Sequence, residues 1–135
     1  MNKIDYYSLF ARIALALAFL SAVMDRFGLW TTVIGKQNVA WGNMDSFTSY
    51  TSSLMPYMPV QFVPLFAWTA TIAEIILGIL LLCGLFKKLT YLASGILLLI
   101  FGFSMMFFVS IKSPFDYSVF AAAACCFLLY RNTLS

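Results

Sequence analysis

Five acidic and eight basic side chains in 135 residues, with no histidine, are all the formal charge from which this chain can build chemistry. The missing imidazole excludes histidine general-base catalysis, histidine-ligated haem and most zinc chemistry. Glu74 is the informative acid, because it lies inside an apolar run, twelve positions from Phe62 and twelve from Phe86. An ionised carboxylate at mid-depth in hydrocarbon costs about 2 to 3 kcal/mol even on lenient insertion scales, so a partner is required. Arg12 and Arg26 are the candidates, and side-chain direction separates them. Helical side chains lean toward their own N-terminus. On a first helix running outward, Arg12 leans to the near surface and snorkels there, whereas Arg26 leans back inward. Glu74, on a helix running the opposite way, leans toward Arg26. A rise of 1.5 Å per residue leaves an axial gap of about 10 Å that two long side chains can close, directly or through one water. Asp25 is expected to accept a second interaction, giving a network of Asp25, Arg26 and Glu74. Such a network either fixes helix register or lines a cavity, and an intramembrane acid favours the cavity.

Other chemistry-bearing residues carry weaker signals. In Ser113-Pro114-Phe115-Asp116 the order of Ser, Pro and acid reads as a helix start, so Asp116 is expected to serve the helix end before any ligand. Tyr117 and Trp41-Gly42 belong to the same level and either form a ring wall or sit in an interfacial aromatic belt. Cys83, Cys125 and Cys126 lie in apolar runs with no C-x-x-C, which argues against a self-contained dithiol centre. Adjacent Cys125 and Cys126 would point about 100° apart on a helix and are poorly placed to pair. No metal site is expected, and the seven methionines read as packing material.

The elements that must position these residues follow from composition. The chain is 63% hydrophobic and only 10% charged, too apolar to coat a particle that faces water on all sides. A net charge of +3, spread thinly, makes no basic patch for nucleic acid. Four stretches, 6–24, 62–86, 89–111 and 115–130, are expected to cross a membrane as helices, since about 20 helical residues span a hydrocarbon core. The expectation is therefore one all-α domain over 1–135, an integral membrane four-helix bundle. The first stretch resembles a secretory signal in composition but is expected to remain as a permanent helix. Lys3, Arg12, Lys87, Lys88 and Arg131 would fall on one side and Arg26, Lys36 and Lys112 on the other, which favours cytoplasmic termini. The connection from Asp25 to Gln61 would then be extracytoplasmic. Within it Met44, Phe47, Tyr50, Thr51, Leu54 and Met55 recur at spacings of three and four. That pattern describes either a short amphipathic lid helix, ended by Pro56, Pro59 and Pro64, or a polar loop whose aromatics anchor at the interface. Small residues are expected where helix backbones approach: Ala11, Ala14 or Ala18, and Ala22 on the first helix, Gly78 on the second, Gly95 and Gly102 on the third, Ala121 to Ala124 on the fourth.

These residues together resemble the DoxX family of small bacterial four-helix membrane proteins. The likeness rests on Arg12 with the run Ser21-Ala22-Val23-Met24-Asp25-Arg26-Phe27-Gly28-Leu29-Trp30, on Ala73-Glu74-Ile75-Ile76-Leu77-Gly78 through Cys83-Gly84-Leu85-Phe86-Lys87-Lys88, and on Lys112-Ser113-Pro114-Phe115-Asp116-Tyr117-Ser118-Val119-Phe120. It covers nearly the whole chain. The family is named for a subunit of a thiosulfate:quinone oxidoreductase, and some members are linked to membrane thiol redox assemblies. The resemblance implies a bacterial inner-membrane location and a quinone-facing or redox-accessory role.

Two functions follow as expectations. In the first, the chain is an accessory subunit of a membrane redox system and holds a quinone or similar amphipathic molecule against Glu74 and Arg26, with Asp25, Trp41, Asp116 and Tyr117 as further candidates. It would carry no covalent cofactor, and electrons would belong to a partner's cofactor. In the second, the chain is a non-enzymatic lipid-binding or scaffold protein that stabilises other membrane proteins. Membrane lipid, a membrane redox protein and a second copy of the chain are the expected partners. A transporter would need dimerisation to gain room for alternating access.

Overall fold

The apolar runs become helices because a backbone surrounded by hydrocarbon must satisfy its own N–H and C=O groups. A computed structural model describes residues 5–134, so Lys3 lies outside the described residues. The described chain is all-α. Its long helices are α1 (Tyr6–Arg26), and, after the short α2 (Leu29–Ile34) and α3 (Met44–Leu54), α4 (Val63–Cys83) and α5 (Lys87–Phe108). A single turn, α6 (Ser113–Asp116), precedes α7 (Val119–Asn132). Among the described residues three helices, α1, α4 with the turn before it, and α5, are long and apolar enough to span a membrane. Their outward faces carry large exposed apolar side chains, among them Leu17, Ile72, Ile79, Ile100 and Phe103.

The stretch expected at 115–130 is broken. The chain leaves helix at Tyr117, and Ser118 takes a left-handed φ of 55° before α7 begins, so the polar stretch Asp116-Tyr117-Ser118 lies at the junction of the two helical pieces. α7 has 14 residues and is about 21 Å long, short of a ~30 Å core.

Packing pairs α1 with α4 and α5 with α7, and α4 then meets α5. In the half of the molecule that holds the end of α4 and the end of α7, helices α1, α4, α5 and α7 share one apolar core. Leu15, Ala16 and Phe19 of α1 meet Leu77 and Leu81 of α4, Tyr91 of α5, and Cys126 and Leu129 of α7. Gly78 admits Leu20, since a Cβ there would lie 2.8 Å from the leucine side chain. On α5 the glycines do something other than bring two backbones together. Added Cβ atoms on Gly95 and Gly102 would sit 2.7 Å from the rings of Phe127 and Phe120, so each glycine seats an aromatic side chain of α7.

The connection between α1 and α4 is built, not slack. α3 carries the expected amphipathic pattern, capped by Asn43, whose side chain accepts the Ser46 N–H at 2.8 Å. It buries Phe47, Thr51 and Leu54 against α4, α5 and α1. The prolines at 56 and 59 lie after its end, and Pro64 occupies the first turn of α4, where a missing N–H costs nothing.

Candidate functional site

Beyond the apolar core, at the end covered by α3, the contact among α1, α4, α5 and α7 opens. The wall of α1 there is Ala18, Ser21 and Ala22, too small to fill the space before Leu98, Phe101 and Met105 of α5. Of the alanine stripe that the sequence assigns to backbone contact, Ala11 packs against the core cluster, as Ala16 does within it, while Ala18 and Ala22 line a cavity. The cavity holds about 640 Å³, within the range of small-molecule sites, and its walls are mainly apolar. Ser46, Phe47 and Tyr50 of α3 close one side, with Trp41 from the loop, and Tyr117 and Val119 close another.

Its polar end is formed by adjacent residues at the end of α1, each tied to a different element. Arg26 is 2% exposed and reaches α4, where Nη1 donates to Glu74 Oε2 and, at 3.0 Å, to Thr71 Oγ1. Thr71 passes the interaction on by donating its hydroxyl proton to the Ala67 carbonyl at 2.8 Å. The guanidinium is also covered by rings: its Cζ lies 3.6 Å from the Phe47 centroid and 5.0 Å from that of Trp41. A desolvated cation over such faces gains up to about 2 kcal/mol. Nε of Arg26 is buried with no hydrogen-bond partner.

Asp25 does not join this network by bonding Arg26. It turns the other way and accepts the backbone N–H groups of Ala40 (2.9 Å), Trp41 (3.3 Å) and Gly42 (2.9 Å). The carboxylate therefore clamps the loop, and the loop sets the Trp41 ring over Arg26. Gly42 bends at φ 83°, and Gly28 allows the approach, because a Cβ there would meet the Gly42 carbonyl oxygen at 3.2 Å. Trp41 also meets Phe47 edge to face at 4.9 Å.

Of the remaining candidates, Tyr117 lines the cavity and Asp116 does not. Asp116 is exposed and pairs with Lys112 at 3.1 Å. It stays in the first turn of α6, but the expected serine cap is displaced by one position: Ser113 is already helical, and Ser110 accepts its N–H at 3.0 Å. Tyr50 faces the same space as Tyr117, and burial, with Tyr117 adding to it, pushes the Tyr50 phenol above its ordinary value.

Three participants escape a reading of the sequence. Thr71 could have been found, since it lies three residues before Glu74 on the same helix face. Phe47 reads only as part of an apolar face, and backbone amides at 40–42 have no signature in side-chain letters. Among the described residues no cluster of Cys, Asp and Glu could hold a metal, and the cysteines are free thiols. No family model, no curated protein and no solved structure matches the chain.

Proposed function

We propose that this is a DoxX-like bacterial inner-membrane protein whose cavity holds the ring of a quinone or a similar amphipathic molecule, as an accessory subunit of a redox system. The single observation that carries the reading is a cavity of about 640 Å³ with a buried Arg26 and Glu74 at one end and apolar walls elsewhere. A ring with carbonyl groups needs that division: a few donors at its polar edge and an apolar slot for its body and tail. Arg26 retains an unused donor in Nε, and Tyr50, Tyr117 and Ser46 add hydroxyls to the lining. Electron transfer is assigned to a partner's cofactor, since the free thiols carry no C-x-x-C.

In this reading α7, continued by α6, makes a fourth crossing that is short for the bilayer, and the termini face the cytoplasm. The cationic side chains near the α4–α5 turn support that orientation. Protein purified in mild detergent is expected to retain quinone, and Glu74→Gln or Arg26→Ala to weaken retention. A preparation that carries none and also fails to bind an added short-tail analogue rejects the reading.

A second reading, a lipid-binding or scaffold protein, is favoured by one observation. Arg26 and Glu74 bond each other directly across α1 and α4, a contact that can hold helix register. In that case replacing both by leucine leaves a stable protein with its partner-stabilising role intact, and quinone never appears.

A further inference from the structure

The opposite end of the molecule holds a second arginine in different circumstances. Arg12 is half-buried on α1 beside the end of α4, where Gly84 stops the helix at φ 73° and donates its N–H to Leu80 at 2.8 Å. A Cβ on Gly84 would lie 2.7 Å from Arg12 Nη1 and 3.2 Å from Cζ, so the guanidinium rests directly on the glycine. Position 84 thus needs glycine twice, for its backbone and for this approach. Arg12 Nε is buried without a hydrogen-bond partner, and among the described residues Arg12 makes no ion pair. The last carbonyls of α4 offer it only the partial negative charge of a helix end.

The neighbours add cations. Lys87 and Lys88 open α5 three and four residues after Gly84, and both are exposed. Arg131 follows Tyr130, which packs on the same core cluster as Ala11, the neighbour of Arg12. Asp5, the described carboxylate at this end, already accepts the N–H groups of Tyr7 and Ser8 and the Ser8 hydroxyl at 2.7 Å. Those bonds, the Ser8 hydroxyl first, hold its pKa below the ordinary value, so it stays ionised as the cap of α1. Among the described residues this end thus carries Arg12, Lys87, Lys88 and Arg131 and one side-chain carboxylate, Asp5, that is otherwise engaged.

We infer that this end binds the phosphate of an anionic phospholipid, with the Arg12 guanidinium as the main ligand and Lys87 and Lys88 beside it. A planar fork of N–H donors matches phosphate oxygens, and lysines add charge without fixed geometry. A lipid fits better than a soluble anion because Phe10, two residues before Arg12, and Phe86 and Leu89, on either side of Lys87 and Lys88 in sequence, are exposed and would lie along acyl chains. The surplus positive charge selects a headgroup with net negative charge over a zwitterion. The inference does not depend on the cavity at the other end.

The test uses the full chain, stripped of lipid in neutral detergent and then offered phosphatidylglycerol, phosphatidylcholine or inorganic phosphate, with retention read by native mass spectrometry and melting. Phosphatidylglycerol is expected to bind about tenfold more tightly than phosphatidylcholine, with the preference falling as salt rises. Arg12→Gln should abolish the preference and Arg12→Lys keep part of it. Lys87→Gln with Lys88→Gln, at exposed positions outside the core, should reduce it and decides the matter if Arg12→Gln does not fold. Equal binding of the two lipids by the unaltered chain, or a preference untouched by the lysine pair and by Arg12→Gln, overturns the inference. Inorganic phosphate that raises melting as much as phosphatidylglycerol assigns the site to a free anion and overturns the lipid.

Discussion

Arg12 and Arg26 sit on one helix, fourteen positions and about 21 Å apart, and meet opposite surroundings on α4. At the level of Arg26, α4 offers a full carboxylate and a hydroxyl, and α3 adds ring faces, so the charge is answered within the protein. At the level of Arg12, α4 offers only a helix end closed by glycine, so the charge opens outward. The difference teaches that a cation on a membrane helix is assigned its role by what the neighbouring helix presents at that height. One end carries an ion pair at the edge of a mainly apolar cavity, and the other a half-buried guanidinium with no ion pair among the described residues.

The strongest way to break the comparison is to strip Arg26 of its answer. Glu74→Leu should cost about 3 to 5 kcal/mol, seen as a large drop in melting in detergent, because it strands a buried guanidinium. Adding Arg26→Leu should recover most of that loss, since removing both partners avoids the stranded charge. A double variant no more stable than Glu74→Leu alone would mean that the pair contributes more than mutual compensation. Asp25→Ala comes next. It removes the acceptor of the loop N–H groups, at about 1 to 3 kcal/mol, and hydrogen exchange at Ala40, Trp41 and Gly42 should quicken while the core around Leu81 keeps its protection.

How far the sequence could be read follows the same division. Glu74 and Arg26 were legible because a charge in an apolar run must find its opposite, and lean and rise leave few choices. Asp25 is legible as a buried acid beside the pair and lines the same cavity, but its partners are backbone amides, which every residue carries and no letter marks. The alanines of α1 were legible as small but not as empty: smallness allows close packing or open space, and the partner on α5 decides between them. The break at Tyr117 and Ser118 carries no proline or glycine to mark it, and Asp116 reads as the start of a helix that then continues. The amphipathic spacing of α3 was clear, since buried Phe47, Thr51 and Leu54 follow the helical period.

A smaller effect sharpens the contrast between the ends through pH. The raised Tyr50 phenol favours the protonated form in the folded protein, so its contribution is complete below the ordinary value of 10.0 and is lost as pH rises through the higher folded value. Alkaline titration should loosen the α3 end first, and Tyr50→Phe should remove that component. If melting falls equally in the variant, another group is responsible. The smallest effect is expected at the exposed Lys112 and Asp116 pair, where Lys112→Ala should change stability by no more than about 0.5 kcal/mol. A loss of several kcal/mol there would show that ion pairs in this chain do not sort by burial.

The most direct test of the central claim fills the cavity while leaving its charges alone. Ala22→Phe should project a ring into the space between α1 and α5, and a short-tail quinone analogue titrated against it should bind at least about tenfold more weakly than to the unaltered chain, with melting little changed. Binding of equal strength in both proteins would place the molecule elsewhere and contradict the account.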